Sequence, residues 1–127
     1  MDVNLLAVPV AALTVFVIGG PWYGPLFGKA WHAATGVTQE KVGHPAKVFG
    51  MAFVFGLIGA LAVAVVAGPA PTLPDATVSG LGVGVAAAAA FGINYQFAAK
   101  PLGLLLIDGV YSLALFTAMG AVIGLFG

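Results

Sequence analysis

Charge is nearly absent from this chain. Its 127 residues include four Lys, no Arg and four acidic residues, 6% of the whole. Soluble domains carry about a quarter charged residues, so a water-facing surface could not be covered here. Formal net charge is zero, which leaves no basic field for nucleic acid. Cysteine is missing altogether, and with it disulfides, thiolate metal sites and Cys nucleophiles. The two histidines, His32 and His44, have no carboxylate pair nearby, so neither a metal nor a haem site is expected. No Ser-His-Asp set, paired carboxylates or phosphate-cradling Gly loop can be assembled, because the glycines lie inside apolar runs. An enzyme is the least supported class, with no catalytic residues, metal or cofactor expected.

What the chain has is hydrophobicity: 61% apolar residues, mean hydropathy +1.13, and 19 Gly. That composition belongs to a membrane protein. Four apolar runs are expected to span, over residues 5–22, 45–67, 76–98 and 102–126, in a single domain of residues 1–127. The N-terminus has no basic region ahead of its first run, which is therefore expected to be retained as a span. At ~1.5 Å per residue the last three runs can cross a ~30 Å hydrocarbon core, while the first needs Trp22 and Tyr23 to complete its crossing.

The stretch Gly20 to Trp31 organises the rest. Gly19-Gly20-Pro21 stops or kinks the first helix. Trp22, Tyr23 and Trp31 beside Lys29 have the character of an interface, with apolar ring bodies and polar tips at headgroup level. Pro25 to Thr35 is expected to form a short interfacial helix closed by Gly36. The loop Val37 to His44, with Gln39, Glu40 and Lys41, is the plainly hydrophilic segment. Lys29, Lys41 and Lys47 flank this first connection, Lys100 lies in the third, and the alternate connections carry none. The positive-inside rule then puts both termini outside and loops 23–44 and 99–101 in the cytoplasm of a multi-pass cell-membrane protein.

Small residues recur every fourth position: Ala52, Gly56, Ala60, Ala64 and Gly68 along span two. Span three carries two such stripes, Gly80-Gly84-Ala88-Gly92 and Gly82-Ala86-Ala90, and span four has Gly120 and Gly124. In lipid such stripes let helix backbones approach closely, although Ala and Gly are also common in membrane helices without that role. Span three is weakly apolar for its length, so it is expected to be surrounded by the other helices or by a neighbouring subunit.

Asp108 is the sharpest polar feature. An intramembrane carboxylate facing lipid costs at least ~2.5–3.5 kcal/mol, so it should face the bundle or water. Asn94 should lie at a similar depth across the hairpin that turns at Lys100-Pro101, with Tyr111 and Ser112 one turn along. Asn94, Asp108, Tyr111 and Ser112 thus form a candidate polar site. Asp108 would be either a protonatable or cation-binding group, or a hydrogen-bond anchor between spans three and four. Tyr23 with Lys29 and Tyr95 with Lys100 also echo one another, as two parallel helix hairpins or shared interface chemistry would produce.

The run Trp22-Tyr23-Gly24-Pro25-Leu26-Phe27-Gly28-Lys29-Ala30-Trp31 resembles the signature of the domain-of-unknown-function 1761 family of small four-span bacterial membrane proteins. Asn94, Phe97, Lys100-Pro101 and Leu106-Ile107-Asp108-Gly109-Val110-Tyr111 resemble that family's last hairpin. The resemblance implies the four-span fold and brings no activity with it. Family members usually carry Asn where Asp108 stands, which implies a hydrogen-bonding role there.

Together these readings give an all-α integral membrane four-helix bundle with a short interfacial helix after the first span. Two functions fit it. One is a structural or accessory helical subunit, assembling through small-residue faces as a homo-oligomer or within a membrane complex. The other is a small oligomeric transporter or channel with a polar intramembrane site around Asp108.

Overall fold

A computed structural model of the chain describes residues 5–37 and 43–126, so Gln39, Glu40 and Lys41 of the expected hydrophilic loop lie outside the described residues. The described residues are all-α, and four helical stretches are long and apolar enough to cross a membrane: Ala7–Leu26, Pro45–Ala67, Leu73–Phe97 and Leu102–Phe126. They run up, down, up and down.

The first crossing is built in pieces. Helix α1 (Ala7–Ala12) passes into α2 (Thr14–Pro21) at Leu13. There the Leu13 N–H bonds back to the Val10 carbonyl, and the Thr14 hydroxyl donates to the Ala11 carbonyl at 2.6 Å. Hydroxyls bonded to a preceding turn bend membrane helices in this way. A π-helical turn, Trp22–Leu26, continues it. Pro25 has no N–H to give, and the ladder resumes with Phe27 donating five residues back to Trp22 at 2.8 Å. The amphipathic helix α3 then runs Gly28–Thr35 and ends on Gly36 in the left-handed conformation. The first span thus extends to Leu26, beyond the expected Trp22, and the short helix starts at Gly28 because Pro25 sits inside the π turn.

Helix α4 (Pro45–Ala67) starts where the His44 ring accepts from the Ala46 N–H, with Pro45 in the first turn. Helix α5 (Leu73–Phe97) starts three residues before the expected Ala76, because Thr72 caps it by accepting from the Asp75 N–H at 3.2 Å. A tight turn with Ala99 at φ 55 leads to α6 (Leu102–Phe126).

Helices α5 and α6 pack backbone to backbone. A Cβ on Gly80 would stand 2.1 Å from the Phe116 carbonyl, one on Gly84 2.8 Å from that of Ser112, and one on Gly120 2.2 Å from that of Ala76. Gly124 meets Leu73 and Gly92 meets Leu105 along the same seam. Gly56 faces Val15 and Ala12 of the first span, while Ala60 is fully buried. The small-residue stripes of these helices are therefore used inside the chain. The exception is Gly82-Ala86-Ala90, whose residues are all exposed. Span three is not surrounded within the chain, being the least buried of the four.

The core gathers at one end, where Ala7, Val8, Ala11, Ala60, Val63, Ala64, Leu115, Met119 and Ile123 pack from three spans. Toward the Asp108 end α4 diverges from the hairpin, and its exposed residues outnumber its buried ones. Lys29, Lys47 and Lys100 are all exposed at that end.

Candidate functional site

Asp108 stands in the second turn of α6, ~9 Å along the axis from the helix start. It is only 7% exposed. Its carboxylate accepts three hydrogen bonds from three different elements of the chain. The Tyr23 hydroxyl of the π turn donates to Oδ1 at 2.5 Å, and the Trp31 indole N–H of α3 donates to the same oxygen at 3.1 Å. The Tyr95 hydroxyl of α5 donates to Oδ2. The carboxylate thereby ties the π turn, the short helix and α5 to α6. A carboxylate left bare in hydrocarbon would carry the cost estimated above; here its oxygens are met by fixed donors.

Adjacent bonds extend the lock. The Trp22 indole N–H donates to the Ile107 carbonyl at 3.0 Å, and the Tyr111 hydroxyl donates to the Val15 carbonyl at 3.2 Å. The Ser112 hydroxyl, 2% exposed, donates to the Asp108 carbonyl one turn back. The rings themselves form a continuous cluster. Tyr23 meets Tyr111 edge-on with centroids 4.9 Å apart and Trp31 edge-on at 5.8 Å, and Trp22 lies 4.7 Å from Phe27. Such pairs add about 0.5–1.5 kcal/mol each beyond the area they bury.

Local backbone chemistry makes this geometry possible. The π turn brings consecutive Trp22 and Tyr23 onto α6, and bulges of this kind are frequent at functional sites. Gly28 lets α3 fold back, since a Cβ there would stand 2.5 Å from the Tyr23 carbonyl. Gly19 leaves room for the Tyr111 ring, whose hydroxyl would lie 3.1 Å from a Cβ at that position.

The residues expected to matter fall into three groups. Asp108, Tyr111 and Ser112 share the site, as expected, but Asn94 is exposed and outside it, and Tyr95 reaches the carboxylate instead. Trp22, Tyr23 and Trp31 belong to the site as donors, whereas Lys29 is exposed. Gly84, Gly92, Gly120 and Gly124 serve the hairpin, Gly56 and Ala60 the contact of α4 with the first span and the core, and Ala52 lines an open groove beside Tyr111. Tyr95 is the residue that sequence reasoning left out of the polar set. Its signal was the echo with Tyr23, since both hydroxyls end on the same carboxylate.

Residues 6–124 match the model of the family described as Protein of unknown function (DUF1761). The chain belongs to this family. Comparison with curated proteins and with solved structures gives no match. An Asn at position 108 would fit the same geometry. Its carbonyl oxygen would accept from Tyr23 and Trp31, and its amide would donate to the Tyr95 hydroxyl. Among the described residues no group of three His, Cys, Asp or Glu side chains could hold a metal ion.

One hollow meets the carboxylate and a second adjoins that hollow. The first, of about 480 Å³, is lined by Tyr23, Trp31, His32, Phe91, Tyr95 and Asp108. The other, about 330 Å³ and mostly apolar, lies between α4 and α6 and shares Tyr23 and Phe91 with the first.

Proposed function

We propose that this multi-pass membrane protein is a non-catalytic helical subunit, assembling in the bilayer as a homo-oligomer or within a larger complex. One observation carries the reading: Tyr23, Trp31 and Tyr95, from three helical elements, converge on Asp108, so the carboxylate closes an internal joint. A transport path would need polar groups strung across the bilayer. Here the bonded cluster around Asp108 lies at one level, where Tyr111 and Ser112 are bonded to backbone carbonyls. Thr14, Thr77 and Ser79 elsewhere in the spans are likewise bonded to carbonyls of the preceding turn. The face left for a neighbour is Gly82-Ala86-Ala90, the small-residue stripe not consumed inside the chain. The shared position of Lys29, Lys47 and Lys100 supports an orientation with the Asp108 end in the cytoplasm and both termini outside.

Assembly is tested by measuring the mass of the protein in nanodiscs. A multimer that Gly82→Leu with Ala86→Leu converts to monomer supports the reading, and a wild-type monomer refutes the homo-oligomer. Orientation is tested separately, because the chain has no native Cys. In sealed vesicles, an impermeant thiol reagent should label Asp75→Cys from outside and spare Lys29→Cys.

A further inference from the structure

Among the described residues the carboxylate of Asp108 has three donors, Tyr23, Trp31 and Tyr95, none of them basic. A carboxylate offers about four lone-pair sites, so one remains, on the oxygen that Tyr95 approaches. That group forms part of the wall of the 480 Å³ hollow, beside the rings of Tyr23, Trp31, Phe91 and Tyr95. Aromatic faces around an anionic group are the surroundings that hold an organic cation, through the negative potential of the ring faces. Neither Lys nor Arg is among the residues lining the hollow; His32 is the basic side chain in its wall, with its ring Nδ1 turned to the Val37 carbonyl oxygen at 2.9 Å.

The neighbouring hollow supplies the second half of a site. Beyond the shared Tyr23 and Phe91 it runs along α6 from Tyr111 to Met119, ~12 Å in helix length, between Gly56 and Gly59 on one side and Phe116 on the other. Glycine at those two positions lets α4 lie close to the groove's walls; a Cβ on Gly59 would lie 2.9 Å from the Phe116 ring and one on Gly56 2.8 Å from the Val15 side chain. The charged hollow lies near the end of the bundle where the lysines are, and the apolar one reaches toward the middle. An amphiphile in a bilayer has the same polarity, head at the interface and tail inward.

We infer that these adjoining hollows, which share the walls formed by Tyr23 and Phe91, form a binding site for a single-tailed organic monocation, its ammonium head in the aromatic pocket beside Asp108 and its tail along the groove beside Gly56 and Gly59. This goes beyond the subunit role and does not depend on it, since the site lies within one chain.

The test uses purified protein in a neutral maltoside detergent, with dodecyltrimethylammonium as the probe and tryptophan emission as the readout, because Trp31 lines the head pocket. Saturable binding is expected. Asp108→Asn, which keeps the internal hydrogen bonds, should weaken it at least tenfold while leaving the thermal unfolding midpoint nearly unchanged. Dodecyl sulfate, with the same tail and opposite charge, should give no saturable change, and tetramethylammonium should bind at least tenfold more weakly. Phe91→Ala removes a ring common to both hollows and none of the donors to Asp108. It should weaken binding about fivefold, and it decides the matter if Asp108→Asn fails to fold. Unchanged affinity in a folded Asp108→Asn protein, or in Phe91→Ala, would overturn the site. Equal saturable binding of dodecyl sulfate or of tetramethylammonium would do the same.

Discussion

The two ends of this bundle are held by opposite means. At the Met119 end, small residues let backbones touch, and the helices need no polar contact between side chains. At the Asp108 end, rings and hydroxyls hold the first span and α3 against α6, while α4 meets the first span through Phe49 and Phe53 on Phe16. The first arrangement is rigid because any added atom meets a carbonyl. The second depends on hydrogen bonds to one carboxylate, so it can be loosened one donor at a time. The contrast teaches where each kind of glycine matters: in the hairpin glycine lets backbones meet, and beside the groove it lets α4 approach the side chains of Val15 and Phe116.

Substitutions can break this comparison, beginning with the hairpin. Gly120→Leu forces atoms into the Ala76 carbonyl and is expected to cost about 3 kcal/mol or more. A large fall in thermal midpoint should follow, with loss of helicity. Asp108→Leu removes the common acceptor of three donors and should cost about 3–5 kcal/mol by denaturant titration in detergent. Asp108→Asn should cost about 1 kcal/mol or less. Gly28→Ala pushes α3 off the π turn at the Tyr23 carbonyl, with an expected cost of about 1–2 kcal/mol. Because Trp31 then moves away from Asp108, its emission should shift to the red while the hairpin keeps its stability. The smallest effects belong to single hydroxyls. Tyr95→Phe deletes one donor to a charged acceptor and should cost about 1.5 kcal/mol, more than Tyr111→Phe at about 0.5–1 kcal/mol, whose partner is a backbone carbonyl. The reverse order in matched unfolding curves would mean that the carboxylate is not the stronger of the two anchors.

The four crossings were legible because long apolar runs and proline-bearing breaks are local features of a sequence. Asp108 could be expected to face inward, since lipid exposure would be too costly. Its partners could not be read. Tyr23 and Trp31 stand 85 and 77 residues away in sequence, and their rings suit an interface equally well. Depth along a helix selected Asn94, but depth does not fix which side of α5 turns toward α6, and Tyr95 is the residue on that side. The glycine stripes posed a similar problem. Periodicity reveals a close-packing face without revealing whether its partner is the next helix or another chain. In α5 one stripe meets α6 and the other remains exposed.

The central claim is that the aromatic motif after the first span is fastened to Asp108 in the last one. A double-mutant cycle between Tyr23→Phe and Asp108→Leu, read as unfolding free energy in detergent, tests it most directly. Residues bonded to each other should couple by about 1–2 kcal/mol, so that the double variant loses less than the sum of the single ones. Strict additivity of the two substitutions would contradict the account.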